Sequence, residues 1–277
     1  MNKFLLKISN KNMVYPRLNL GYILGMEKYS ICFNDTFNIN DIKEFIIKNS
    51  NCDIFVSLNR VIYEHELNDY KNTLLQLDKL NLKGIIVGDL AAFTYNLKTP
   101  LIIDQLHLNN SYLSINHYFN HDNAGCFLSN DITKEEINEI KANTNAILFK
   151  QVFGYIHLSS SVRKLITNYL KHFKLKNNSS INYIKEEKSN NYYIIKEEEF
   201  GTHILESKVL DLYEELNSIN VDYYVIDSYL LEDEIVKNAI YAYVNNDNES
   251  LKLLRNKLES TKGFINTKTI YKVKNYE

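Results

Sequence analysis

Residues 147–173 read ILFKQVFGYIHLSSSVRKLITNYLKHF and join an apolar run to a basic segment through a cluster of three serines. The first part, Ile147 to Gly154, is rich in β-branched and aromatic residues and ends in glycine, which predicts a buried strand that breaks into a loop. After the serines, apolar residues recur at three- and four-residue spacing, which predicts a helix that begins near Ser160. A strand, a loop and a helix are therefore expected in succession.

The predicted helix is basic on the face opposite its apolar residues. Arg163 lies at its start, and four lysines follow: Lys164, Lys171, Lys174 and Lys176. A helix N-terminus offers free backbone N–H groups and the positive end of the helix dipole, so we expect an anion to bind there beside Arg163. The alternative is an ordinary amphipathic helix with a solvated charged face.

Length and charge limit the class of protein. At 277 residues and 45% hydrophobic, the chain is long enough for one large core and is near the size of a single α/β barrel. Its 32 basic and 34 acidic residues give no strong positive field, so any RNA contact must come from a local patch. The N-terminal apolar run is too short for a signal peptide or a membrane helix, so a cytoplasmic protein without a membrane partner is expected.

Short apolar runs alternate with helical patterns along the chain. Strands are expected at residues 4–9, 22–26 with 30–33, 53–58, 84–87, 101–103, 126–128, 147–154 and 223–226. Helices are expected at residues 39–48, 64–80, 91–97, 112–119, 133–142, 209–219, 231–244 and 250–258. Thr133 and Glu136 have the spacing of a capping box, and residues 177–199 resemble an inserted β-hairpin. The alternation predicts a single domain, 1–277, folded as a TIM-like barrel, with an open doubly wound sheet as the alternative.

The active site of a parallel barrel lies at the C-terminal ends of its strands. The polar residues at or after the expected strand ends are Asn59, Asp89, Gln105, Asn110, Arg163 and Asp227. Their convergence predicts a substrate-binding site, and the alternative is that they only satisfy loop backbone groups. His157 and His203 are candidates for general acid/base catalysis, with packing or a loop hydrogen bond as the alternative role.

The cysteine pattern predicts neither a metal site nor a disulfide framework. Cys32, Cys52 and Cys126 are isolated, with no C-x2-C pair and no Cys/His pair at metal-ligand spacing, so they are expected to be reduced packing residues. No G-x-S-x-G elbow and no zinc-protease motif is present, which disfavours a hydrolase.

The spacing G-x8-R-x-L-x2-N, formed by Gly154, Arg163, Leu165 and Asn168, resembles the signature segment of the collagenase-like peptidase family U32. The resemblance extends to the strand-end residues above, to the G-T-H motif that contains His203, and to the closing segment KGFINT at 262–267. It implies that Asn168 joins the other polar residues as a substrate-binding residue.

Many members of that family hold an iron–sulfur cluster with four cysteines. This chain has His157 and Lys164 at two of those positions and resembles the short, cluster-lacking branch associated with 5-hydroxyuridine formation in bacterial tRNA. The resemblance implies modification of the wobble uridine without a cluster, prephenate as a candidate co-substrate, and tRNA phosphates bound by the four lysines. The alternatives are a non-catalytic partner subunit of a cluster-bearing relative, and the peptidase activity of the family name.

Overall fold

Eight parallel strands close into a barrel, which confirms the TIM-like fold. The computed structural model describes residues 3–8, 10–105, 109–119, 123–177, 179–188 and 191–268. With strands numbered along the chain, the barrel consists of β1 (Phe4–Lys7), β2 (Leu20–Gly25), β3 (Ile54–Leu58), β4 (Gly84–Val87), β5 (Leu101–Ile103), β6 (Asn123–Phe127), β7 (Ile147–Ser161) and β11 (Tyr223–Asp227). Closure comes from β11, which pairs with β1 on one side and β7 on the other.

Helices and short helical turns connect the strands. The α-helices are α1 (Ile39–Lys48), α2 (Leu67–Leu77), α3 (Tyr112–Phe119), α4 (Lys134–Ala142), α5 (Leu165–Phe173), α6 (Asp233–Asn245) and α7 (Asn248–Lys257). The predicted capping box of α4 is confirmed, because the Thr133 hydroxyl accepts from the Glu136 backbone while the Glu136 carboxylate accepts from the Thr133 backbone. Among the helices of the described ranges, none is long and apolar enough to cross a membrane.

The strands bury side chains on both of their faces, as a parallel barrel requires. Inside the barrel, the rings of Phe55, Phe149 and Tyr223 pack with centroids 4.8–5.3 Å apart. Outside it, a larger apolar core fills the space between the strands and the helices. This packing closes the interior and leaves the C-terminal ends of the strands to form a mouth.

The seventh strand is longer than the sequence indicates. We predicted a strand ending at Gly154 and a helix beginning near Ser160, but β7 continues through the serines to Ser161 and α5 begins at Leu165. The reason lies in β10 (Gly201–Asp211), which pairs antiparallel with the second half of β7 and supplies its backbone hydrogen bonds. The serines therefore form part of a strand and do not cap a helix.

The same pairing makes the predicted helix at 209–219 wrong. Its first residues are the end of β10, and a short 3₁₀ turn at Leu216–Ser218 follows. The predicted hairpin is confirmed as β8 (Ile181–Lys185) and β9 (Tyr192–Glu198), and β9 pairs in turn with β10. Beside the barrel, the hairpin thus belongs to an antiparallel sheet, and β12 (Ser260–Thr261) adds a parallel edge.

Smaller differences concern the ends of elements. Residues 30–33, predicted as part of the second strand, form a bend in which Cys32 has a positive φ of 59°. The expected helix at 64–80 begins with the 3₁₀ turn Glu64–Glu66 and ends at Leu77. The expected helix at 91–97 is a 3₁₀ turn at Leu90–Thr94. Ser9, the last residue of the expected first strand, lies outside the described residues.

Lys150 on β7 is buried and gives a pH-dependent stability. Its ammonium donates to the Ser129 carbonyl at 2.9 Å and to the Asn130 side chain at 2.6 Å, and burial lowers its pKa to about 7. The unfolded chain, with a lysine pKa of about 10.4, therefore binds more protons between pH 7 and 10, so the unfolding free energy should rise across that range by up to about 1.4 kcal/mol per pH unit. Urea titrations at several pH values should show this rise in the wild type and its loss in Lys150→Met; equal slopes would contradict the assignment.

Candidate active site at the barrel mouth

Two connected hollows occupy the C-terminal ends of the strands. The inner cavity, of about 90 Å³, is lined by polar side chains from several strand ends together with the loop that holds Cys32; these polar residues include Lys7, Ser57, Asn59, Asp104, Asn130, Gln151, His157 and Asp227. The outer cleft, of about 550 Å³, adds residues of the second half of β7 and of the turn before β10; its members include Arg60, Tyr63, Gln105, Ser160, Phe200 and His203. Asn59 and Asp104 line both hollows.

A buried ion pair lies in the inner cavity. The Lys7 ammonium, at the end of β1, lies 2.8 Å from the Asp227 carboxylate at the end of β11, and both side chains are at most 15% exposed. Burial alone would lower the pKa of Lys7, but Asp227 outweighs this effect and raises the pKa above its ordinary value, so Lys7 is charged. The ammonium also lies 4.6 Å from the centre of the Phe33 ring, a favourable cation–π distance.

A second ion pair, between buried Arg60 and partly buried Glu66, lies at the wall of the outer cleft. The Arg60 guanidinium forms two hydrogen bonds to the Glu66 carboxylate and one each to the backbone carbonyls of Lys28 and Val61. These bonds to Arg60 lower the pKa of Glu66. The guanidinium also lies 4.5 Å from the centre of the Phe200 ring, which places a flat cation against an aromatic face at the cleft.

Two histidines meet at one serine. The Ser160 hydroxyl lies 2.8 Å from His157 Nε2 and 2.7 Å from His203 Nδ1. His203 is almost fully buried, and burial lowers its pKa, so its imidazole is neutral near pH 7. The Glu198 carboxylate lies 3.8 Å from His203 Nε2 and accepts from the Tyr229 hydroxyl. The two predicted acid/base candidates are thus neighbours, although their catalytic role stays a prediction.

Three of the predicted substrate-binding residues line the hollows: Asn59, Gln105 and Asp227. The side-chain Oδ1 of Asn59 accepts from the Ile31 backbone N–H at 3.0 Å, which holds the neighbouring loop. Gln105 Oε1 is buried and has no hydrogen-bond partner among the described residues. A buried acceptor without a partner is costly, so Gln105 is suited to receive a donor from a ligand in the outer cleft.

Two other predicted residues satisfy backbone groups or face solvent. The Asp89 carboxylate accepts from the backbone N–H groups of Ala91 and Ile62, so it caps the adjacent turn, as the structural alternative proposed. Asn110 is exposed, whereas its neighbour Asn109 is fully buried and donates to the carbonyls of Ile103 and Phe127. Neither Asp89 nor Asn110 lines the two hollows.

The helix N-terminus at which we expected an anion is occupied by a side chain of this protein. The backbone N–H groups of Ile166 and Thr167, in the first turn of the helix, donate to the Glu197 carboxylate at 2.9 and 3.1 Å. Burial would raise the pKa of Glu197, but its hydrogen bonds from Thr167 and Ile166 outweigh burial and lower it. An internal carboxylate therefore occupies the position expected for a ligand. Arg163 is exposed, precedes the helix and lies outside both hollows.

The remaining predicted residues lie on the surface and outside both hollows. Asn168 on α5 is exposed, and so are the four lysines Lys164, Lys171, Lys174 and Lys176. The Lys164 ammonium donates a hydrogen bond to the Glu198 backbone carbonyl. The surface of α5 also exposes the rings of Tyr169 and Phe173, which pack at a centroid distance of 4.7 Å.

Several residues of the mouth were missed by the sequence reasoning. Lys7 and Asp104 both follow apolar runs, so the strand-end rule that selected Asn59 could have found them. Glu198 and Cys32 come from the hairpin and from a bend, where no sequence signal points to the mouth.

A four-cysteine iron–sulfur cluster does not fit this chain. Its sequence contains three cysteines, and such a cluster needs four thiolates. Cys32 is a free thiol in the inner cavity, Cys126 is buried in β6, and Cys52 is half-buried before β3. The family's cluster chemistry therefore cannot be carried over to these residues.

Comparisons with known proteins agree with the fold. The sequence pattern of peptidase family U32 matches residues 22–273. The tRNA hydroxylation protein P2 of Bacillus subtilis (strain 168) is 23% identical over 262 residues, which cover 85% of this chain and 84% of that protein. The structure of the U32 peptidase Mk0906 superposes with a TM-score of 0.52 at 13% identity, covering 81% of this chain and 91% of that one.

Proposed function

This chain belongs to peptidase family U32, and from that premise we propose that it acts in tRNA hydroxylation, forming 5-hydroxyuridine at the wobble uridine as, or together with, the hydroxylating subunit. The observation that carries the proposal is the similarity to the tRNA hydroxylation protein P2, which extends over most of both chains. The barrel mouth and the adjacent surface of α5 support it with chemistry suited to a nucleotide.

The outer cleft suits an unstacked pyrimidine base. Its lining includes the buried Gln105 Oε1, which can accept the N3–H of uracil, and Asn59, whose amide can donate to a base carbonyl. Tyr63 and Phe200 line the same cleft and offer aromatic faces for stacking. A flipped base would thus find both a hydrogen-bonding partner and a stacking surface.

The surface of α5 suits the phosphates and bases of single-stranded RNA. Lys171, Lys174 and Lys176 are exposed next to the paired rings of Tyr169 and Phe173. Exposed aromatic rings interleaved with lysines are typical of surfaces that bind single strands. Because α5 follows the part of β7 that lines the cleft, RNA on this surface would reach the mouth.

A small acid such as prephenate stays a candidate co-substrate. Among the described residues, Lys7 and Arg60 are the Lys and Arg side chains that line the hollows, and they are already paired with Asp227 and Glu66. A carboxylate ligand would therefore have to share these cations with their partners, or use the exposed Arg163.

The partner-subunit alternative draws support from a different feature of the same region. The antiparallel sheet and α5 expose large apolar side chains, with Tyr183 at 64% and Tyr169 at 58% exposure. Such residues are also suited to a protein partner, including a cluster-bearing relative. A tRNA role would place the protein in the cytoplasm under either version of the proposal.

Replacing the lysines of α5 tests RNA binding directly. In Lys171→Gln/Lys174→Gln/Lys176→Gln, we expect weaker binding of a tRNA anticodon stem-loop and a log–log salt slope that is reduced by about 2, since each lost single-strand phosphate contact contributes about 0.7. The matched control carries the same charge change at exposed lysines near the opposite end of the barrel: Lys79→Gln/Lys83→Gln/Lys98→Gln. Equal losses in both triple variants, or a loss in neither, would contradict RNA binding at α5.

A further inference from the structure

The boundary between the inner cavity and the outer cleft holds a cluster of metal-ligating side chains. One ligand atom from each of Cys32, His157 and His203 lies within 4.8 Å of the ligand atoms of the other two. Cys32 and His157 line the inner cavity, and His203 lines the outer cleft. An ion held by the three residues would therefore be accessible from both hollows.

We propose that Cys32, His157 and His203 bind one divalent first-row transition-metal ion, of the Zn²⁺ or Fe²⁺ class, at the barrel mouth. Two imidazoles and one thiolate form a donor set that such ions prefer over Mg²⁺ and Ca²⁺. Tetrahedral coordination with bonds of about 2.0–2.3 Å places ligand atoms roughly 3.3–3.8 Å apart, so a contraction of about 1 Å would complete the site. This proposal stands independently of the role in tRNA hydroxylation.

His203 supplies the observation that points to a ligand. Its side chain is 1% exposed, and its Nε2 has no hydrogen-bond partner among the described residues. Buried polar atoms in folded proteins nearly always have a partner, and an orphaned one is costly. A metal ion at Nε2 would supply the missing partner.

Ser160 is suited to position both imidazoles. Its hydroxyl oxygen has two lone pairs and can accept a hydrogen bond from His157 Nε2 and another from His203 Nδ1. In that arrangement Nε2 of His203 keeps its lone pair for the ion. Fixing a ligating imidazole through its other nitrogen is the usual arrangement in metalloproteins.

The three protein ligands would leave a fourth coordination position for water. Three protein ligands with an open position are typical of catalytic zinc sites. The Glu198 carboxylate lies 3.8 Å from His203 Nε2 and accepts from the Cys32 backbone N–H at 3.4 Å, so it is close enough to contact a metal-bound water. On binding, the Cys32 thiol proton is released to the solvent and the thiolate becomes the sulfur ligand.

The sequence pattern could not reveal this site. Cys32, His157 and His203 are separated by 125 and 46 residues, whereas the familiar metal motifs hold their ligands in short local pairs. The bend at residues 30–33 and the pairing of β7 with β10 bring the three together.

Binding of Zn²⁺ and Co²⁺ to the metal-free full-length protein tests the proposal. Isothermal titration with Zn²⁺ should give a stoichiometry of about one, and Co²⁺ should produce a thiolate-to-metal charge-transfer band together with visible bands of a low-coordinate ion. A protein that binds neither ion, or that binds Co²⁺ without the thiolate band, would overturn the assignment of Cys32 as a ligand.

Variants identify the ligands separately. Cys32→Ser and His203→Gln should each weaken Zn²⁺ binding at least about tenfold and remove the charge-transfer band or shift the visible bands, and Ser160→Ala should weaken it by about 10–100-fold while keeping the thiolate band. The matched control is Cys126→Ser, another buried free thiol, which should bind as the wild type does. Thermal melting checks that each variant folds. Should Cys32→Ser fail to fold, wild-type affinity in both His203→Gln and Ser160→Ala would overturn the proposal.

Discussion

Replacing Asp227 with alanine should lower the unfolding free energy by about 3–5 kcal/mol, because it leaves the Lys7 ammonium buried without its counter-charge. The change also removes the acceptor of the Tyr229 backbone N–H, which donates to the Asp227 carboxylate at 3.0 Å. Chemical denaturation of the wild type and of Asp227→Ala at pH 7 measures the difference. On the proposed function, the variant should also lose tRNA hydroxylation.

A double variant separates the charge effect from simple loss of packing. Lys7→Met/Asp227→Leu replaces both charged groups with apolar side chains, and such replacements of buried pairs are often neutral or stabilising. We therefore expect the double variant to recover most of the stability lost in Asp227→Ala, while the mouth keeps neither charge. If the double variant were as unstable as the single one, the ion pair would not be the cause.

Gly154→Ala should be similarly destabilising, by about 3–5 kcal/mol, for a reason that combines backbone strain and overpacking. Gly154 has a φ of 114°, which side-chain-bearing residues rarely adopt, and an added Cβ would lie 2.4 Å from the Asp227 carbonyl oxygen. Since β7 leaves the barrel at this residue to pair with β10, the strand cannot shift without disturbing both pairings.

Gly263→Ala is the matched control for this prediction. Gly263 also has a positive φ, of 54°, but an added Cβ would meet only the Ile156 and Leu210 methyl groups at 3.4 and 3.5 Å. The variant should lose about 1 kcal/mol of unfolding free energy, which comes only from placing a side-chain-bearing residue in the left-handed backbone conformation. Thermal or urea unfolding of both variants provides the comparison, and equal costs would show that the contact with Asp227 is unimportant.

The barrel was predictable because its signals are local. Each strand is a short apolar run, and parallel strands that alternate with helices close in only a few ways, so the positions of Asn59, Gln105 and Asp227 at one end followed from the sequence. The course of β7 beyond Gly154 was not predictable in the same way. Its serines have the composition of a helix start, and residues 209–219 have the spacing of a helix face. Only the pairing of β7 with β10 makes strands of the serines and of residues 209–211.

The chemistry of the mouth depends on contacts between distant residues, which no local pattern contains. Lys7 and Asp227 are 220 residues apart in sequence, and the Glu197 carboxylate that occupies the start of α5 comes from the hairpin. For this reason the sequence indicated a free helix end beside Arg163 but not the internal carboxylate that fills it. The residue types at the strand ends indicated the site from the sequence, whereas the partners of these residues could not be predicted from it.

The most direct test of the proposed function is mass spectrometry of tRNA nucleosides from a strain that lacks this chain. The proposal predicts that 5-hydroxyuridine falls on deletion, returns on complementation with the wild type, and does not return with the folded Lys7→Met/Asp227→Leu variant. Unchanged 5-hydroxyuridine in the deletion strain would contradict a role in tRNA hydroxylation, and full recovery with the double variant would contradict the barrel mouth as its site.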